Sequence, residues 1–133
     1  MQDHTKLLVW QRARALVVNT HEAASTFPSG TVPGLRAQLM RATMSISANI
    51  AEGAAKSSRR DFARYLEIAA GSASEAEHHM TIAGDLGVIG SPVAGRLINR
   101  IIEVRRMLYG LRRALLARDG EARSERPSPA ADP

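Results

Sequence analysis

Cysteine is absent from the 133 residues, which excludes a disulfide framework, thiolate zinc and iron–sulfur sites, and thiol catalysis. Aromatic residues are scarce, at 4% of the chain, and this argues against a β-sandwich, whose strands need aromatic and β-branched side chains. Long hydrophobic runs are missing too. Segments such as Leu7–Trp10 and Ala15–Val18 fall far short of the roughly 18 apolar residues that span a bilayer. No basic-then-apolar leader opens the chain, so the expected compartment is the cytoplasm, with no membrane association. Lysine is nearly absent: the 18 basic residues are overwhelmingly arginine. Arginine is the better fork for phosphates and carboxylates, although a GC-rich genome biases usage in the same direction.

What is present is alanine, leucine and arginine, with 44% hydrophobic and 23% charged residues and a net charge of +5. This is the composition of a soluble, helix-forming chain able to bury one core. The periodicity divides it into four helices. The first runs from near Asp3 to before Phe27-Pro28, with Leu7, Trp10, Ala13, Leu16/Val17 and Thr20 to Ala24 on one face. Two prolines and two glycines within Phe27–Gly34 mark a loop. The second helix starts near Leu35 and turns Leu39, Ala42, Ile46 and Ile50 inward, with Gly53 as an expected left-handed exit. Ser58-Arg59-Arg60-Asp61 resembles a capping box that opens the third, which carries Phe62, Leu66, Ala69, Ala73, Ala76, Met80 and Ala83 and stops at Leu86-Gly87. Gly71, Ser72 and Ala73 are expected to permit close helix approach.

Ser91-Pro92 signals the fourth start. There Leu97, Ile101, Val104, Leu108, Leu111 and Leu115 alternate spacings of four and three, the pattern of a coiled-coil seam. Short connections then predict an all-α fold: an up-down-up-down antiparallel four-helix bundle over 1–118 with a disordered tail at 119–133.

Laying the helices antiparallel sorts the charge. Residues 1–14, 45–71 and 106–118 share one pole and carry +2, +1 and +4, whereas 15–44 and 72–105 carry +1 and −1. The cations that gather there include Lys6, Arg12, Arg14, Lys56, Arg59, Arg60, Arg64, Arg106, Arg112, Arg113 and Arg118, a concentration that attracts a polyanion. The competing readings are a solvated face, or pairing with Glu67 and Asp61. On helix two, Gln38, Arg41, Ser45, Asn49 and Glu52 form a polar stripe spaced 3-4-4-3, either solvent-facing or a polar seam that sets register inside the bundle or between subunits.

Enzyme chemistry finds no constellation, so no catalytic residue is assigned and no cofactor is expected. Glu75-x-x-His78 is half of a carboxylate-bridged di-iron signature without its second half, and His78 and His79 diverge by ~100° around the helix, so no metal is expected. There is no nucleophile elbow and no phosphate-binding or dinucleotide loop.

One family shares these elements in order. Val9-Trp10-Gln11-Arg12-Ala13, Phe27-Pro28, Gly34–Leu39, Ser45-Ile46-Ser47-Ala48-Asn49-Ile50-Ala51-Glu52-Gly53, Asp61-Phe62, Ala69–Glu75 and Asp85-Leu86-Gly87 together resemble the bacterial four-helix-bundle family encoded in intervening sequences of 23S ribosomal RNA genes. The accessory proteins of diversity-generating retroelements are similar to that family. Val88 stands where the family usually has an aromatic. The resemblance implies a homopentameric ring with a basic surface and a nucleic-acid-linked role rather than a defined reaction. Two functions follow as expectations. The first is an oligomeric nucleic-acid-binding accessory protein that uses the basic pole, with a reverse transcriptase as a candidate partner. The second is a structural or adaptor bundle whose arginines make subunit or partner-protein contacts.

Overall fold

The computed structural model describes residues 1–125, and every regular element among them is helical. A 3-10 turn, His4–Lys6, precedes α1 (Leu8–Ala24), α2 (Leu35–Ala54), α3 (Arg59–Asp85) and α4 (Ser91–Glu125). Helix α1 packs on α2 and α4, α3 packs on the same two, and the diagonal pairs do not touch, which is the square cross-section of an up-down-up-down bundle. The apolar stripes meet in one core. Leu16, Leu39, Ile46, Ile50, Leu66, Met80, Ile101 and Leu108 are its largest fully buried side chains.

The element boundaries have local causes. The expected start at Asp3 holds only as a separate turn. The Asp3 carboxylate accepts hydrogen bonds from the Thr5 amide and hydroxyl, which also holds its pKa below the usual carboxylate range. Leu7 then adopts extended backbone and α1 begins at Leu8. Ser58 caps α3 by accepting from the Asp61 amide at 3.1 Å, as its sequence context predicts. At the other end Gly87 has φ of +70°, and the Gly87 and Val88 amides donate to the Gly84 and Ala83 carbonyls. Val88 packs on the core from this cap, so the smaller side chain there leaves the turn intact.

Three expectations need correction. Gly53 is not a left-handed exit: α2 continues through it to Ala54 and Ala55 closes the helix in the right-handed region. A side chain at Gly53 would instead collide with α3, since a Cβ would lie 2.7 Å from the Tyr65 Cβ and 2.9 Å from Phe62 Cδ1. Gly71 is not the close-approach residue; it faces outward with nothing near its missing Cβ. The tail expected from 119 does not hold for 119–125, which continue α4. The Asp119–Arg123 pair at 3.3 Å and a Ser124 hydroxyl donating to the Glu121 carbonyl hold this turn where the apolar period has ended. The remainder of the expected tail lies outside the described residues.

The core contains two fully buried threonines with opposite circumstances. Thr43 Oγ1 donates to the Leu39 carbonyl at 2.6 Å, whereas Thr20 Oγ1 is buried without a partner among the described residues. An unpaired buried hydroxyl carries an uncompensated desolvation cost, so Thr20→Val should stabilise the fold by about 1 kcal/mol. Thr43→Val should not stabilise. Thermal denaturation of both variants checks this; a lowered Tm for Thr20→Val defeats it.

Candidate functional site

The antiparallel arrangement brings the start of α1, the α2–α3 corner and the end of α4 to one pole. The Gln2 amide donates to the Ala54 carbonyl at 2.8 Å and ties the N-terminal segment to the end of α2. Two clefts open beside this junction. One, about 490 Å³, is lined by Lys56, Arg59 and Arg118 among others. The second, on the α3–α4 side and also about 490 Å³, contains Arg60, Arg64 and Arg112 together with Asp61 and Glu67. Six of the cations expected at this pole are thus sorted into two neighbouring clefts.

Their individual circumstances differ. Arg12 reaches across to Glu103 of α4 at 3.5 Å, Lys56 pairs with Glu52 at 3.4 Å, and Arg112 lies 3.6 Å from Glu67. The Arg112 Nε is buried and donates to nothing in the described chain. Arg14 stacks over Trp10 at 5.6 Å, and Lys56 and Arg64 lie 5.2 and 5.5 Å from the Tyr65 ring centre. Among the described residues, Arg59, Arg60, Arg64, Arg106, Arg113 and Arg118 are exposed and form no ion pair with a carboxylate.

Sequence reasoning missed the aromatic contacts. Trp10 carries Arg14 over its face and His4 against its edge, with ring centroids 4.9 Å apart. The i, i+4 spacing of Trp10 and Arg14 was the available signal. It also missed the effect of the α4 extension. Asp119, Glu121 and Glu125 against Arg123 place a net −2 on the last turns of α4, so the pole ends in a weakly acidic tip.

The polar stripe of α2 divides. Gln38, Arg41 and Glu52 are exposed, and Ser45 and Asn49 are half-buried. The Ser45 and Ser72 hydroxyls are 2.9 Å apart, and Asn49 Nδ2 donates to the Ser45 carbonyl and hydroxyl at 2.8 and 3.0 Å. The middle of the stripe therefore links α2 to α3, and its ends face solvent. On the other side of α3, Arg105 of α4 makes a two-pronged contact with Glu77 at 3.1 and 3.4 Å. This is the most buried ion pair among those described, and it fixes the α3–α4 register rather than offering charge to a ligand.

Among the described residues, no three His, Asp or Glu side chains gather where they could hold a metal ion, and no helix is long and apolar enough to cross a membrane. The cations at the pole offer electrostatic attraction and hydrogen-bond donation to anionic oxygens.

A family model described as 23S rRNA-intervening sequence protein matches residues 5–110. Among solved structures, the chain is similar to a protein of unknown function from the S23 ribosomal protein family of Bacteroides thetaiotaomicron VPI-5482. The TM-score is 0.73 at 23% identity, covering 78% of this chain and 97% of that one. At that identity the likeness speaks for the fold. No curated protein matches.

Proposed function

Because the chain belongs to the 23S rRNA-intervening sequence protein family, we propose that it is a non-enzymatic, oligomeric accessory protein that binds nucleic acid through its basic pole. The observation that carries this reading is the group of exposed arginines at one end of the bundle without carboxylate partners among the described residues. A patch of this kind costs folding energy through self-repulsion and gains it back when a polyanion docks.

The ligand class follows from the aromatics. The faces of Trp10 and Tyr65 are approached by the protein's own cations, and only Tyr109, 42% exposed, remains as a large open ring among the described residues. Phosphate contact thus outweighs base stacking, which favours duplex or structured RNA over an unpaired strand. The similarity expected between this family and the accessory proteins of diversity-generating retroelements extends the proposal to a reverse transcriptase as a partner.

A second reading, a structural or adaptor bundle, draws on different residues. Leu8, Val18, Met44 and Ile68 are between 46% and 55% exposed, and these apolar side chains suit contacts with copies of the chain or with another protein. The two readings separate in one pair of measurements. Light scattering at micromolar concentration should return an assembly, with a pentamer at five times the 14.4 kDa chain mass. Fluorescence anisotropy should show duplex binding that is indifferent to sequence and falls steeply as salt rises. Assembly without any binding at low salt would leave the adaptor reading standing alone.

A further inference from the structure

The cleft between the α2–α3 corner and the last turns of α4 differs from a charged surface in being concave and two-natured. Its floor is apolar: Phe62 and Leu115 are the core side chains that reach it, 4% and 2% exposed. Its rim carries Lys56 of the α2–α3 turn, paired with Glu52 at 3.4 Å, together with Arg59 of α3 and Arg118 of α4. The one carboxylate at the cleft, Asp119, is engaged by Arg123 at 3.3 Å. The N-terminal segment, held to Ala54 through the Gln2 amide, forms part of the lining. The volume of about 490 Å³ suits a ligand the size of a single nucleotide, within the roughly 300–1,000 Å³ of small-molecule sites.

Resting on the nucleic-acid reading above, we propose that this cleft receives the phosphorylated end of a strand, with the terminal phosphate among Lys56, Arg59 and Arg118. Charge favours a strand end over an internal nucleotide. A terminal phosphate monoester carries about −1.5 to −2 at neutral pH, against −1 for an internal diester, and the unpaired Arg59 and Arg118 at the rim reward the difference. A free nucleoside monophosphate presents the same chemistry, and the test must tell it from a strand end.

The experiment uses the full chain and one short RNA duplex in three forms: phosphorylated at its termini, carrying terminal hydroxyls, and closed by loops at both ends. Anisotropy at low salt should rank the phosphorylated form about tenfold tighter than the closed form, with the hydroxyl form between them. Ala122→Trp fills the half-buried wall of the cleft without altering charge, and should remove the ranking while leaving affinity for the closed form unchanged. Arg118→Gln should shrink the ranking, and adenosine monophosphate at millimolar concentration should compete with the phosphorylated form. Equal binding of all three duplexes overturns the end cleft and leaves the basic pole intact. No binding of any form overturns both. Saturation by adenosine monophosphate at micromolar concentration, with no ranking among the duplexes, overturns the strand end in favour of a free nucleotide. A ranking that survives Ala122→Trp overturns the location.

Discussion

Replacing Arg59, Arg60, Arg113 and Arg118 together by glutamine should weaken duplex binding about a hundredfold or more at low salt and flatten its salt dependence. The reason is counterion release: each phosphate neutralised by the protein frees condensed cations, so each contact contributes about 0.9 to the slope of log affinity against log salt. If all four arginines engage phosphates, the slope should fall by roughly 3 to 4. Each of the four is exposed and lacks a carboxylate partner among the described residues, so the fold should be retained and Tm should move little. Arg112, although on the same pole, is left out because it is half-buried beside Glu67 and its loss would mix packing with charge. The control is Arg36, Arg96 and Arg100 at the opposite pole. Of these Arg36 donates to the Phe27 carbonyl at 3.3 Å, so its substitution is expected to loosen the α1–α2 loop without touching affinity. Equal losses from the two sets would sink the polar-pole interpretation. In a closed assembly several poles engage one polyanion together, and the measured loss becomes larger still.

The largest effect on stability should come from Gly53. Its α2 backbone lies so close to α3 that a Cβ would sit 2.7 Å from the Tyr65 Cβ, an atom fixed to the α3 backbone and unable to swing away. Gly53→Val forces the two helices apart or drives Tyr65 and Phe62 out of their packing. Overpacking of this kind costs about 3 kcal/mol, a fall of roughly 10–15 °C in Tm for a domain of this size. Gly71→Ala is the matched comparison. It sits in mid-helix, faces outward and meets nothing, so the substitution should instead gain up to about 1 kcal/mol from helix propensity. Differential scanning calorimetry on the two variants should therefore give shifts of opposite sign. A neutral Gly53→Val would mean that the α2–α3 approach is wider than described.

These two glycines also show how far the residues alone can be read. Gly53 continues the Leu39–Ile46–Ile50 stripe at seven residues beyond Ile46, and Gly71 falls between Ala69 and Ala73 on the outer side of α3. Periodicity thus held the answer, but glycine's reputation as a helix terminator and as a packing residue pointed to the opposite assignment. The four helices and their buried faces were legible because apolar spacing leaves few alternatives: the inward positions of α2 and α3 are all buried. The last turns of α4 were not legible because their stability is local, coming from an i, i+4 ion pair and good helix formers rather than from burial. At the pole, antiparallel topology alone assigns the charge to one end. Which arginine is free and which is paired depends on inter-helix register and rotamer, and so Arg12–Glu103 and Arg112–Glu67 emerged only from the structure.

The unequal lengths of the helices have a consequence for how the chain is made. Helix α1 has 17 residues and α4 has 35, so α1 covers only part of the bundle it completes, while α3 holds the two most extensive interfaces. Helix α1 leaves the ribosome first, yet one of its two packing surfaces belongs to α4, which leaves last. Until α4 emerges, the buried face of α1, Ala13, Leu16 and Thr20 among it, has only the cover that α2 gives, and the four-helix bundle closes only after α4 is made. In the finished protein the same asymmetry predicts that α1 is the least protected of the four helices against hydrogen exchange, which amide exchange measurements would check.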